Sequence, residues 1–489
     1  MTERSGPHAP CLAPGAGRGA PGDELGVHLL FGSDPATSVV VCWGERPGRP
    51  AVDDVMVGPV GGRWTQRRPT QRRVYRDGVS GELVVAAYAV LDGLMEGSEH
   101  AYALLTRAGC VFDGSFRTAP ARPAAFSFTA CGDIGTDWAP GAPWRIERPG
   151  EAADPQASVF AHELVDHIER AAPLFHLALG DLAYSNLSAD PPATWRRFFA
   201  NAARSAARRP WMPCPGNHEN EPLIGLEAYR AHFVTPANGS CRWSGLWYAF
   251  TVGSVRFVSL SGEDLCVQDA GASYLRGFSE GEQVRWLRET LAHARCDPSV
   301  EWIVVAVHQT AVSTAEQNGG DLGLRRDLLP VLDEFGVDLV LTGHEHCYER
   351  SRPLRGVEPG SALLRPRVAR GAERVDGSLD TARGAVHLVL GCGGAAAPPG
   401  SERTGPACGV VTVGVDEPGR GGPARRAYEP ATWSARRSDG LLPFGFARFD
   451  VTPAGARRPS ALDVLVFGSS GRLGAPLELV DRFRLRRDC

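Results

Sequence analysis

Between Gly26 and Pro120 the chain repeats one short pattern, a run of aliphatic and β-branched residues followed by Gly, Pro or Asp. The runs VHLLFG, SVVVCWGE, VDDVMVG, ELVVAAYAVLDG and AYALLTR have strand length and regular spacing, which predicts a small antiparallel β-sandwich over 24–120. Trp43, inside the second run, is its natural core aromatic. The Pro-flanked segment Ala119-Pro120-Ala121-Arg122-Pro123 reads as a short stiff linker. Beyond it the pattern changes to buried-strand runs separated by helical periodicity. Phe126–Cys131, Leu174–Leu179, Trp302–Val307 and Val337–Leu341 are the strands. A helix is expected over about 154–172, with Asp154 capping, Pro155 in the first turn, and Phe160, Leu164, Val165 and Ile168 on one stripe. The capping-box pattern Ser279-Glu280-Gly281-Glu282 opens another, with Val284, Leu287 and Leu291 inward, and a third covers about 324–335. Trp247 to Leu260 is a hairpin turning at Gly253-Ser254. The fold class is therefore a β-sandwich followed by an α/β domain over 124–489, with Arg-, Gly- and Pro-rich 350–385 as a surface insertion. Residues 1–23, rich in Pro, Gly and Ala, are expected to form a disordered leader.

Composition narrows the chemistry. The 489 residues are 43% apolar and 22% charged, ordinary globular usage, and no run approaches the ~18 apolar residues of a membrane helix. All 52 basic residues are arginine. A Schiff-base lysine or a phosphate-loop lysine is thereby excluded. A net charge of −4 provides no field for nucleic acid or an anionic membrane, so neither is an expected partner. The arginine pairs 67–68, 72–73, 325–326 and 425–426 then read as solvated surface. Twelve cysteines sit singly, without CxxC. The N-terminal stretch has no apolar core of a signal peptide, so the default expectation is cytoplasmic with free thiols.

Five segments place polar residues directly after expected strands: Gly132-Asp133-Ile134-Gly135, Gly180-Asp181-Leu182-Ala183-Tyr184, Gly216-Asn217-His218-Glu219, Val307-His308 and Gly343-His344-Glu345-His346. In an α/β sheet the carboxyl ends of the strands form the ligand crevice, so five such loops can converge. Carboxylate, phenol, amide and imidazole without thiolate suit two hard or borderline metals such as Fe, Mn or Zn. A single GD after a strand is usually structural. Two histidines at i, i+2 in a loop rarely fill a core, and all five segments together point to a metal site.

This set of motifs resembles the calcineurin-like metallophosphoesterases, and specifically the purple acid phosphatases, whose branch is marked by a tyrosine three residues after the second aspartate, here Tyr184 after Asp181. The N-terminal sandwich resembles the fibronectin-III-like domain of the long plant and bacterial members, and SFRTAP and GHEHCYERS are similarly placed. The resemblance implies a four-layer α/β/β/α metallophosphoesterase fold. It implies that Asp133, Tyr184 and His346 bind Fe(III), that Asn217, His308 and His344 bind a divalent Fe, Zn or Mn, and that Asp181 bridges them. It makes His218 the catalytic residue facing the phosphate, with Asn217 also at the substrate. The implied activity is that of an acid phosphatase, in-line attack of a metal-bound hydroxide on a small phosphate monoester. Members are often secreted, against the absence of a signal peptide here. Arg350, close behind the last motif, is placed to support the substrate pocket or to brace its loop.

Two departures from the family pattern matter. The family commonly has further histidines shortly after the VxxH-type motif, whereas 309–323 contains none. Glu316, Asp321 or His218 alone are the remaining candidates for protonating the leaving group. A phosphodiesterase, or a nucleotide or phytate hydrolase on the same centre, is the alternative reading, and a non-catalytic surface binding protein is the alternative from another class. The sandwich's tyrosine corner reads Leu94…His100, with Tyr102 beyond it, and His100 is assigned no function. Cys131 and Cys347 are expected to pack, His176 to sit in the core, and His162 and His167 to be solvated.

Overall fold

The computed structural model describes residues 25–46, 48–136, 159–268, 273–395, 408–418, 422–437, 442–455, 459–472 and 474–487. The leader expected over 1–23 and the helix cap at Asp154 and Pro155 lie outside the described residues. Residues 28–117 form two four-stranded antiparallel sheets. One runs in the order His28–Phe31, Val39–Glu45, Leu83–Leu91, Gln71–Arg76, the other Gln66–Pro69, Asp54–Pro59, Glu99–Thr106, Gly109–Arg117. Trp43 is buried between them. The strands absent from the sequence reading, Gln66–Pro69, Gln71–Arg76 and Gly109–Arg117, are mostly exposed or half-buried along their length, so they carry little hydrophobic alternation. His100 occupies the corner: its Nε2 lies 3.1 Å from the Met95 carbonyl. Tyr102 instead reaches outward and donates to the Ala207 carbonyl at 2.7 Å, tying the sandwich to the rest of the chain.

The remaining chain builds two seven-stranded sheets. In the first, Trp211–Pro213, Phe175–Ala178 and Phe126–Cys131 run parallel, and Phe444–Thr452, Ala461–Ser469 and Glu478–Arg486 extend the sheet antiparallel. In the second, Val255–Ser259, Trp302–Ala306, Leu339–Thr342 and Val386–Leu390 run parallel. The sheets pack face to face through aromatics. Phe128 stacks on Phe449 at 4.5 Å and meets Phe257 of the other sheet edge-on at 5.1 Å. Helices cover the outer faces: Val159–Ala171 and Pro191–Ala206 on one side, Glu282–Cys296 on the other. This is the four-layer arrangement with the sandwich in front.

Several elements differ from their sequence reading for identifiable reasons. The helix expected over 324–335 is two, Leu322–Asp327 and Leu329–Glu334, because Pro330 has no N–H for the ladder. The helix expected to open at the 279–282 box begins at Glu282. Ser279 still accepts the Gln283 N–H at 3.3 Å, but its own N–H and hydroxyl are given to Asp264. Pro191–Ala206, unanticipated, is capped by Asp190 and buries Trp195, Phe198 and Phe199. The 350–385 segment is not a plain excursion: Tyr348–Ser351 and Leu379–Asp380 are strands of the two large sheets, and only the hairpin Leu354–Val357/Pro366–Val368 stands apart. Arg325, expected on the surface, is fully buried and pairs with Glu429 at 2.8 Å. A three-stranded sheet of Gly320–Asp321, Cys408–Val415 and Ala424–Pro430 brings that glutamate from a hundred residues away. His167, expected in solvent, is buried beside Phe160, and His162 is half-buried.

Candidate metal centre

Parallel strands deliver their following loops to one end of the sheets, and all five motifs lie there. Asp133 follows Phe126–Cys131, Asp181 and Tyr184 follow Phe175–Ala178, and Asn217 and His218 follow Trp211–Pro213. His308 follows Trp302–Ala306 in the second sheet, and His344 and His346 follow Leu339–Thr342. The centre thus spans the seam between the two sheets.

The seven side chains expected as ligands gather in two adjoining groups. In one, the Tyr184 hydroxyl lies 3.2 Å from Asp133 Oδ1 and 3.0 Å from His346 Nε2, and those two lie 3.3 Å apart. In the other, His308 Nε2 lies 3.0 Å from Asp181 Oδ2, 3.1 Å from Asn217 Oδ1 and 3.3 Å from His344 Nδ1. Asp133 Oδ2 links the groups by accepting the His344 backbone N–H at 2.9 Å. All seven are buried.

Electrostatics indicates what fits between them. Burial pushes the Tyr184 phenol well above its ordinary pKa, and Asp133 and Asp181 push it further, so only a cation beside it would make it a phenolate. Burial also disfavours charge on His308, yet Asp181 and Asp133 outweigh it and hold the imidazolium up to about 10. Asp181, despite burial, is held low by His308 and His218. The site draws positive charge, and hard oxygen with imidazole donors is the chemistry of Fe, Mn or Zn. The residues present fit a metal centre.

The backbone is bent to suit. Asp133, Asp181, Tyr184 and His344 all have left-handed φ, between 52° and 71°, a conformation costing roughly 1–3 kcal/mol per residue outside glycine. Four of the seven expected ligands carry this strain, and the surrounding structure holds it in place. Gly343 is required for a different reason: a Cβ there would sit 2.5 Å from Asp133 Oδ2 and 2.8 Å from the Leu179 carbonyl.

Neighbouring residues hold these side chains in place. Glu219, fully buried, accepts N–H groups from Asp181 and Leu182, both at 2.8 Å, and from Gly216 at 2.7 Å, fastening the GD and GNH loops to each other. His308 Nδ1 donates to the Leu179 carbonyl at 2.7 Å and so presents Nε2 to the centre. His218 stands above the pair. Its backbone N–H donates to Asp181 Oδ1 at 2.8 Å, its ring lies 4.2 Å from that of Tyr184, and its side chain is one-fifth exposed. Nδ1 of His218 meets Asn186 Oδ1 at 2.8 Å, and Nε2 lies 3.8 Å from Asp181 Oδ2. Burial lowers its pKa. Glu219 stood in a recognised motif without a role, Asn186 follows Tyr184 by two, and neither has a local signature for its contact.

Other candidates lie elsewhere. Arg350 is engaged by Asp481 at 2.7 Å and covers the Phe483 ring, so it braces its strand against Glu478–Arg486 rather than joining the cluster. Both oxygens of Asp321 are occupied by backbone N–H groups. Glu316 is exposed. Cys131 is buried with its sulfur 3.8 Å from His176 Nε2, and burial raises both it and Cys347 well above the ordinary thiol range, as packing residues. His176 is a core residue satisfied by Thr129 at 2.9 Å.

Residues 126–348 match the calcineurin-like phosphoesterase family. An uncharacterized protein of Mycobacterium tuberculosis is 40% identical over 493 positions, covering 99% of this chain and 91% of its own. Purple acid phosphatase 18 of Arabidopsis thaliana is 28% identical over 236 positions, 47% of this chain and 46% of its own. In fold, the purple acid phosphatase isolated from yellow lupin (Lupinus luteus) seeds matches 95% of this chain and 74% of that one, with a TM-score of 0.65 and 18% identity.

Proposed function

Because the chain belongs to the purple acid phosphatase family of calcineurin-like phosphoesterases, we propose that it hydrolyses phosphate monoesters at a dinuclear centre. It is a metal-dependent phosphoester hydrolase. What supports a dinuclear centre is the pair of adjoining donor groups, one around Tyr184 and one around His308, with Asp181 and Asp133 between them. Asp133, Tyr184 and His346 would hold Fe(III), Asn217, His308 and His344 a divalent Fe, Zn or Mn, and Asp181 both. Such a pair supplies charge to a phosphoryl group and lowers the pKa of bound water.

The chain's own residues do the rest. Asn217 provides a ligand oxygen without negative charge, which eases the approach of a phosphate dianion. Its neighbour His218, one-fifth exposed, is held through Nδ1 by Asn186 and through its backbone by Asp181, and its Nε2, 3.8 Å from Asp181 Oδ2, hydrogen-bonds a phosphoryl oxygen and, when protonated, donates to the departing alkoxide. The N-terminal sandwich we read as fibronectin-III-like. Its Glu82 pairs with Arg196 of the helix Pro191–Ala206 at 2.9 Å.

One observation favours a second reading, a phosphodiesterase or a nucleotide or phytate hydrolase on the same residues. The 309–323 loop offers no acid, since Asp321 is occupied and Glu316 faces solvent. Diesters with good leaving groups need less proton assistance. Purified protein decides by spectrum and assay. A broad purple absorption lost in Tyr184→Phe, monoester turnover, and loss of that turnover in His308→Ala are expected. Full activity of His308→Ala would overturn the assignment, diester turnover by a colourless metal-bound protein would favour the second reading, and no hydrolysis of either ester would favour a binding protein.

A further inference from the structure

Gln268 has no place in any motif, yet its carbonyl Oε1 lies 2.7 Å from Nε2 of His344. A neutral imidazole carries a single N–H, and an amide oxygen can only accept it. The proton is thereby fixed on Nε2. Nδ1 of His344 keeps its lone pair and points to His308 Nε2, 3.3 Å away, inside the group that includes Asp181 and Asn217. With the proton on Nδ1 instead, the same histidine would aim an N–H into that group.

The placement of Gln268 is itself over-determined. Asp321 accepts the Val267 N–H at 2.9 Å and the Gln268 N–H at 3.1 Å, and also caps the following helix through Leu324. Its own N–H goes to the Thr310 carbonyl at 2.8 Å, two residues after His308. A continuous path of bonds therefore runs from the His308 loop through Asp321 and Gln268 to His344. Gln268 is buried, and among the described residues its amide nitrogen has no hydrogen-bond partner. Leaving those donors unspent costs about 1–3 kcal/mol, so stability alone does not account for an amide at this position.

We propose that Gln268, held by Asp321, is a positioning residue of the centre: it sets the His344 tautomer and so the affinity of the group formed by Asp181, Asn217, His308 and His344 for a divalent cation. The inference rests on the metal-centre reading and assigns Asp321 to this clamp rather than to proton transfer. Removing an outer partner of a metal-bound histidine typically weakens metal binding ten- to a hundredfold.

The test is calorimetric titration of the full chain, stripped by chelation, with Mn²⁺ and separately with Zn²⁺. Gln268→Leu is expected to weaken one binding event ten- to a hundredfold while the melting temperature of the stripped protein stays near wild type. Gln268→Glu, which still accepts from Nε2, is expected to restore the affinity. At saturating metal Gln268→Leu should recover most of its kcat. Asp321→Ala should reproduce the affinity loss, and if that variant does not fold, the two Gln268 variants decide alone. Wild-type affinity in Gln268→Leu overturns the proposal, as does an equal loss in Gln268→Glu. Because the readout is binding, an affinity loss in a chain that hydrolyses no ester would sustain this inference while sinking the proposed function.

Discussion

At the scale of single residues, the centre shows which chemistry a short motif can reveal and which it cannot. Asp133, Asp181, Tyr184, Asn217, His308, His344 and His346 stand in five motifs, because a metal needs particular donors at the ends of particular strands. Glu219 and Gln268 act on those donors through hydrogen bonds and Asn186 acts on His218, and the sequence marks none of their contacts. A carboxylate that accepts three backbone N–H groups looks like any other glutamate until two loops are seen to meet on it. Glu219→Gln puts an amide NH2 where N–H groups already point, leaving a buried donor unpaired at a cost of about 1–3 kcal/mol. The expected outcome is a stripped protein with a lower melting temperature and roughly ten- to a hundredfold weaker metal binding. Unchanged binding by titration with Mn²⁺ would mean that the two loops hold their positions without it.

At the scale of elements, strand order decides more than strand identity. Phe126–Cys131, Trp302–Val307 and the 247–260 hairpin were legible as hydrophobic runs bounded by turn residues, and they are strands here. Gly109–Arg117 and Gln66–Pro69 were not, because a strand exposed on much of its surface has no apolar face to announce it. The helix after 321 breaks at a proline that an apolar count does not weigh. Loops that follow parallel strands are short and tight, and Gly343 exists for that reason. Gly343→Ala would force a methyl against Asp133 and the Leu179 carbonyl, and overpacking of this kind costs about 1–3 kcal/mol. Thermal melts should show the loss and metal titration a weakened centre. A variant that melts and binds like wild type would show that the loop can move aside.

At the scale of the whole molecule, the sandwich and the phosphoesterase layers share a buried contact built on two histidines. His28 stacks on Phe199 at 4.4 Å, and its Nε2 lies 3.1 Å from the His232 carbonyl. His232 faces Trp195 and Phe199, with its Nε2 3.2 Å from the Tyr75 hydroxyl. Burial, reinforced by His28, lowers His232 from 6.5 to about 3. The folded state therefore binds fewer protons here than the unfolded chain below pH 6.5. Stability from this group is fully present above 6.5 and declines as pH falls toward 3, by about 1.4 kcal/mol per unit. Urea unfolding followed by tryptophan fluorescence between pH 6 and 4 should show a slope shallower by that amount in His232→Gln. Equal slopes would mean that the histidine is protonated in place.

What the sequence by itself determined is local: donor types, their position after strands, and the absence of lysine, since residue identity and short-range periodicity are carried by neighbours in the chain. Tertiary structure alone decided that the donors meet across the seam between two sheets. It also decided that Arg350 turns to Asp481 and Arg325 to Glu429, and that Gln268 reaches His344. Each of those contacts joins residues more than seventy positions apart. Their pairing depends on how strands are ordered and stacked, which no stretch of local sequence encodes.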